Sequence, residues 1–162
     1  MKKILTLALS ALLLMAALTA CGSDKTPDAD KTVDLTAFYK DVADEYDWEE
    51  GFMADLTDDM LEGYYPGLKD MTLTQKVLKM PMMSSVVNEL AFLECETEED
   101  ATAAAAILQN RITVQAEGGA WYPESVEAWG RGVVVQQGKY VAMIASAEHQ
   151  DEIVEQFNEL FA

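Results

Sequence analysis

Two side chains are candidates for nucleophilic or acid–base chemistry, and the sequence argues against both. His149 is the only histidine, so any Ser–His or Cys–His pair must contain it. No serine lies in the G-x-S-x-G turn of many hydrolases. Cys95 lies between Glu94 and Glu96, whose negative charges should raise the pKa of the thiol and make it a poorer nucleophile. The sequence therefore predicts no catalytic residue, and an envelope hydrolase is the least favoured class of function.

A third reactive side chain, Cys21, lies at the end of an apparent secretory signal. Lys2 and Lys3 precede an apolar stretch, residues 4–18, that is shorter than the roughly 20 residues of a membrane-spanning helix. The tetrapeptide Leu18-Thr19-Ala20-Cys21 resembles a bacterial lipobox. The resemblance implies a diacylglyceryl group on the Cys21 sulfur, cleavage before it, and anchoring of the protein at the extracytoplasmic face of the cell membrane.

The expected organisation is a signal peptide over residues 1–20, a lipidated cysteine and flexible tether over 21–33, and one domain over 34–162. The formal net charge of −18 excludes nucleic acid as a partner, because its phosphates would be repelled. With Cys21 lipidated, Cys95 has no cysteine left for an intramolecular disulfide, so packing must supply the stability.

The methionines around Pro81 are the candidate metal ligands that the sequence favours over its carboxylate clusters, which are more typical of solvated helix starts and turns. Thioethers favour Cu(I), so Met80, Met82 and Met83 support an alternative function in extracytoplasmic copper handling. Such sites usually add histidine or cysteine, and neither lies nearby, so core filling is the favoured interpretation. No cofactor is predicted.

Two of the three tryptophans belong to a connection bounded by glycine and proline. Trp121, Tyr122 and Trp129 would cover the core if buried, and would form a recognition surface if exposed. They are the candidate partner-binding residues, and the candidate partner is an unknown protein or a cell-wall glycan.

The elements that position these residues are clearer in the second half of the chain. In the first half, Asp34 is a predicted N-cap, a short helix follows Thr57, and residues 71–82 form an edge strand or an irregular crossing. The second half shows a half-buried strand at 86–95, a helix from Thr97 to Gly118-Gly119, a hairpin at 133–144, and a last helix from about Ala147. We expect an α+β fold with a mostly antiparallel sheet of three to four strands, helices on one face, and N-terminal helices before it.

Several short runs together resemble a known family. They are Asn88-Glu89-Leu90-Ala91-Phe92-Leu93, Glu99-Asp100-Ala101, Arg111, Gln115, Tyr122-Pro123 and Gly138-Lys139-Tyr140-Val141. Over about residues 84–162 the chain is similar to an uncharacterised family of Gram-positive lipoproteins, a domain of unknown function. The resemblance implies a lipid-anchored extracytoplasmic domain and supplies no catalytic or binding residues. The expected function is a non-enzymatic, lipid-anchored binding or interaction lipoprotein.

Overall fold

A single antiparallel sheet of five strands, in the order β1-β2-β3-β5-β4, organises the chain. The structure, a computed structural model, describes residues 31–48 and 51–162. The strands are β1 (Met53–Asp55), β2 (Leu73–Pro81), β3 (Asn88–Cys95), β4 (Val133–Gln137) and β5 (Tyr140–Ser146). The helices are α1 (Leu35–Glu45), α2 (Leu61–Tyr64), α3 (Glu98–Val114), α4 (Pro123–Gly130) and α5 (Gln150–Glu159).

Helices cover both faces of the sheet, so the expectation of helices on one face is wrong. On one face, Leu93 and Met143 pack in a cluster with Leu108 of α3. On the other, Phe92 packs against Phe157 of α5, with ring centroids 6.0 Å apart. Every residue of β3 and β5 is buried. The predicted half-buried strand at 86–95 is therefore also wrong, because its apolar residues are consecutive and point to opposite faces, as in strands covered on both sides.

The first half of the chain contributes more sheet and less helix than expected. Strand β2 is interior, because it pairs with β1 on one side and β3 on the other. Strand β1 has 3 residues and too little sequence pattern to be predicted, which is why the expected sheet was too small. Of the described helices, α1 alone precedes the sheet, since the 4-residue α2 lies between β1 and β2. The expectation of more than one helix before the sheet is therefore wrong.

The helix starts predicted at Asp34 and Thr97 and the hairpin are confirmed, whereas the short helix after Thr57 begins at Leu61 and the last helix begins at Gln150 rather than about Ala147. The Asp34 carboxylate accepts hydrogen bonds from the backbone N–H groups of Thr36 and Ala37, both at 3.0 Å. The Thr97 hydroxyl accepts the Asp100 N–H at 3.1 Å. Strands β4 and β5 pair around a two-residue turn in which Gly138 has a φ of 57°, a conformation that favours glycine.

The start of the described chain is joined to the sheet by a polar network. The Val33 N–H donates to the Tyr140 hydroxyl at 3.2 Å, and Gln75 Nε2 donates to the Val33 carbonyl at 2.7 Å. Tyr140, Gln75 and Lys139 all reach the buried Glu94 carboxylate, at 3.0, 2.6 and 2.7 Å. Burial raises the pKa of Glu94, but these hydrogen bonds and the Lys139 charge outweigh it and hold the pKa below its usual range. Val33, expected to end the tether, is thus buried in the fold.

The signal peptide, Cys21 and tether residues 22–30 lie outside the described residues. Among helices of the described part, none combines the length and apolar character needed to cross a membrane.

Candidate functional site

A cavity of about 540 Å³ opens at the end of the sheet where β3 begins and β5 ends. It lies between the segment before β1, the β2–β3 connection, α4 and the start of α5. Its walls include Trp48, Phe52, Asn88, Ser125 and His149. We call it the larger cavity. Its size is within the range of small-molecule sites in proteins.

Helix α4 brings Ser125 into this cavity. A π-helical turn, Gln115–Gly119, follows α3, and Gly118 leaves helical geometry with a φ of 119°. Pro123 then begins α4, where its fixed φ suits the first helical position. A Cβ on Gly132 would lie 3.0 Å from the Trp129 carbonyl oxygen and 3.2 Å from Ile112 Cδ1, so a larger residue there would require these neighbours to shift by a few tenths of an ångström. Helix α4 is therefore held close to the core, with Ser125 buried.

Two polar groups in the cavity wall lack partners. Asn88 and Ser125 are each 4% exposed, and neither Asn88 Oδ1 nor Ser125 Oγ has a hydrogen-bond partner within the described part of the chain. The Asn88 amide nitrogen makes only a 3.5 Å contact with the sulfur of Met53. A buried polar group without a partner costs about 1–3 kcal/mol, and most such groups in folded proteins are paired. Both residues line the larger cavity.

A smaller cavity of about 290 Å³ adjoins the first, since Val86, Asn88 and Ser125 line both. A buried ion pair lines it: Arg111 Nε and Nη2 donate to the two Glu89 oxygens at 2.9 and 2.8 Å. The Tyr65 hydroxyl also donates to Glu89, at 2.7 Å.

The guanidinium of Arg111 is further enclosed by aromatic rings. It lies 4.6 Å from the ring centre of Tyr64 and 5.2 Å from that of Trp129. Burial lowers the pKa of Arg111, but the hydrogen bonds and charge of Glu89 outweigh it and raise the pKa. The sequence analysis assigned no function to this ion pair. A glutamate next to an apolar strand nevertheless indicates a buried carboxylate that needs a partner.

His149 lines the larger cavity, but it is not paired with a nucleophile. Its ring stacks on Tyr46 with the centroids 4.0 Å apart and the planes 9° apart. Its Nε2 lies 3.9 Å from a Glu148 oxygen, and Ser146 Oγ accepts the His149 backbone N–H at 3.4 Å. Among the described residues no serine hydroxyl is hydrogen-bonded to the ring.

Cys95 is buried, and its thiol is poorly suited to nucleophilic chemistry. Burial, with the charges of Asp100 and Glu94, raises the pKa of Cys95 to about 11. The predicted direction is confirmed, although burial is the main cause and Glu96 is not among the causes.

The three predicted partner-binding aromatics are separated by the structure. Trp121 is 93% exposed and lines the smaller cavity, and Tyr122 is 48% exposed. Trp129 is 6% exposed, because the connection expected there is helix α4, which packs this ring into the core. The prediction that Trp129 belongs to an exposed binding surface is therefore wrong, whereas partner binding by Trp121 and Tyr122 stays a prediction.

The methionines of the copper alternative are also divided. Met80 belongs to β2 and packs against the core, whereas Met82 and Met83 are exposed in the following turn. In the described residues no three His, Cys, Asp or Glu side chains are grouped so that they could hold a metal ion. Methionine-bound copper stays a prediction.

Comparison with known proteins gives one match. A family model described as a domain of unknown function, DUF4358, matches residues 46–146. The match begins well before residue 84, where the resemblance was expected to begin. It includes all five strands and most of the residues that line the larger cavity. No curated protein and no solved structure matches the chain. The chain therefore belongs to the DUF4358 family.

Proposed function

We propose that this protein is a non-enzymatic, lipid-anchored binding module that holds a polar ligand in the larger cavity outside the cell membrane. The observation that carries the proposal is the pair of unpartnered oxygens, Asn88 Oδ1 and Ser125 Oγ, in residues that line this cavity.

The physical argument is that folding leaves these two groups unsatisfied and a ligand can satisfy them. An unpaired hydroxyl and an unpaired amide oxygen each cost about 1–3 kcal/mol on burial. A ligand whose N–H or O–H groups donate to them recovers part of that cost on binding. A hydroxyl that destabilises the free protein and strengthens a complex is a mark of a binding site, because a purely structural residue would stabilise both.

The proposed location is supported by the sequence pattern alone. The basic start, the apolar stretch at 4–18 and the lipobox-like Leu18-Thr19-Ala20-Cys21 are typical of lipoprotein signals. Replacement of Cys21 by Ala should abolish labelling with a fatty-acid probe and leave uncleaved precursor. Mature-size, labelled Cys21→Ala protein would refute the lipid anchor.

Ser125→Ala tests the binding site, with Thr113→Val as its matched control. Thr113 also carries a hydroxyl on a helix, but that hydroxyl is exposed and donates to the Gln109 carbonyl. The mature protein in detergent micelles is screened by thermal shift against amino acids, neutral sugars and nucleosides, since a ligand at 100 times its Kd stabilises by about 2.7 kcal/mol.

We expect Ser125→Ala to melt at or above the wild-type temperature and to lose about tenfold in affinity for any compound that binds, since tenfold is about 1.4 kcal/mol. Thr113→Val should keep the wild-type affinity. The proposal fails if no compound raises the melting temperature, or if Ser125→Ala binds as the control does.

A further inference from the structure

We infer that the larger and smaller cavities form one cleft for a neutral oligosaccharide, an inference that rests on the proposed binding function and narrows it. The two cavities, of about 540 and 290 Å³, share Val86, Asn88 and Ser125 as wall residues. A ligand longer than a single ring can therefore lie across both, beside the two residues that carry the unpartnered oxygens.

Aromatic rings line both ends of this cleft. Trp48 and Phe52 line the larger cavity with their ring centroids 6.1 Å apart. Trp121 lines the smaller cavity with nearly all of its surface exposed. The flat apolar face of an indole matches the C–H face of a pyranose ring, and tryptophan provides a large contact area at a low entropic cost. An exposed tryptophan contributes little to the core, so its contact area remains for a ligand.

The polar groups of the cleft suit hydroxyl-rich rings. Asn88 Oδ1 is an acceptor, and Ser125 Oγ can both donate and accept. Gln115 lines the smaller cavity and Glu124 the larger one, which adds an amide and a carboxylate toward the two ends. Sugar hydroxyls donate and accept in the same way, whereas an apolar ligand would leave these groups unpaired.

The charge of the cleft favours a neutral ligand over an anionic one. Arg111 and Arg131 line the cavities and are salt-bridged to Glu89 and Glu127, at 2.8 and 3.4 Å. The larger cavity also contains Glu124 and Glu148, and the whole chain has a formal net charge of −18. An anionic chain would be repelled by these carboxylates while both arginines are already paired.

An extended peptide is the competing occupant. Peptides commonly bind by adding a strand to an open sheet edge. Strands β2, β3 and β5 are interior strands of the sheet, but Asn88 and Glu89 at the cleft are paired with β5 alone. A capped peptide is therefore included among the probes.

Four ligands, three tetramers and one monomer, test the inference on the mature lipidated protein in detergent micelles. They are the β-1,4-linked tetramer of N-acetylglucosamine, its monomer, the tetramer of galacturonic acid, and acetylated, amidated tetra-alanine. Titration calorimetry measures Kd, and tryptophan fluorescence reports on the rings. We expect the neutral tetramer to bind about tenfold more tightly than its monomer, a difference of about 1.4 kcal/mol that one further ring contact can supply.

Trp121→Ala is the decisive variant and Tyr122→Ala its control. Both side chains are exposed neighbours, but only Trp121 lines a cavity in the described part of the chain. Trp121→Ala should raise the Kd of the neutral tetramer about tenfold and leave the monomer unchanged, whereas Tyr122→Ala should change neither. Circular dichroism checks that both variants fold.

Three results overturn the inference. They are the absence of saccharide binding, tighter binding of the galacturonate tetramer, and unchanged tetramer binding by Trp121→Ala. If tetra-alanine alone binds and Ser125→Ala weakens it, the oligosaccharide is refuted while the proposed binding function stands. If the screen of small polar compounds also yields no ligand, both fail.

Discussion

Replacement of Arg111 by Met should destabilise the protein by about 3–5 kcal/mol, because it leaves the Glu89 carboxylate buried without its counter-ion. The side chains of Glu89 and Arg111 are 6% and 13% exposed, so the charge left on Glu89 would stay largely shielded from water. The contacts of Arg111 with two aromatic rings add about 0.5–1 kcal/mol each. One hydrogen bond to Glu89, from Tyr65, remains and keeps the loss near that range.

Urea unfolding followed by circular dichroism at pH 7 measures this loss. Arg131→Met is the matched control, since Arg131 is exposed and its pairing with Glu127 one helical turn away should contribute less than about 0.5 kcal/mol. Adding Glu89→Gln to Arg111→Met removes the uncompensated charge and should recover about half of the loss. A loss below about 1 kcal/mol for Arg111→Met, or a double variant no more stable than the single one, would refute the assignment of a buried charge pair.

Three further predictions concern the core and the titrating groups. Native Cys95 should react with a thiol reagent at pH 8 at least about a hundredfold more slowly than in the urea-unfolded chain, because burial raises the pKa of Cys95 to about 11; equal rates would contradict its burial. The folded pKa of Glu94 lies below its ordinary 4.5, so its contribution to stability is complete above pH 4.5 and is lost as the pH falls through the folded value; Glu94→Gln should flatten the acid limb of a stability–pH curve, and an unchanged limb would refute this. Leu108→Ala and Phe157→Ala, one on each face of the sheet, should each cost about 2–5 kcal/mol in urea unfolding, and an unchanged midpoint for either would refute two covered faces.

The elements with local signals were predictable from the sequence. Asp34 and Thr97 begin helices because their side chains cap backbone N–H groups within three residues. Gly138 allows the tight hairpin turn because glycine adopts a positive φ without strain, and this depends on that residue alone. Each of these signals involves neighbours in the chain, which a sequence shows directly.

The two-sided core was not predictable in the same way. Residues 90–93 are an unbroken apolar run, which is compatible with a buried strand or with part of a buried helix. The ends of this run are Glu89 and Glu94, which give the segment the appearance of a half-buried strand with alternating polar and apolar residues. Both glutamates are nevertheless buried, and each is paired with a residue from a distant segment. Arg111 is 22 residues from Glu89, and no local pattern reports such a pair.

The cleft was missed for a related reason. Its wall combines Trp48, Asn88, Ser125 and His149 from four separate segments, and none of them belongs to a motif. The connection that contains Trp121 could be selected from the sequence because large aromatic rings between glycines and a proline form a local pattern. Trp129 was grouped with it because the sequence did not show that Pro123 begins a helix.

The network around Val33 and the cleft lie at opposite ends of the sheet. Val33 joins the sheet at the Glu94 end of β3, whereas the cleft opens at the Asn88 end. Strand β3 has 8 residues, so these two ends lie about 25 Å apart. If Cys21 carries the proposed lipid, the described fold would be attached at the end of the sheet opposite the cleft. A force applied through that attachment would act on the contacts of Val33 with Tyr140 and Gln75, at the end of the sheet away from any bound ligand.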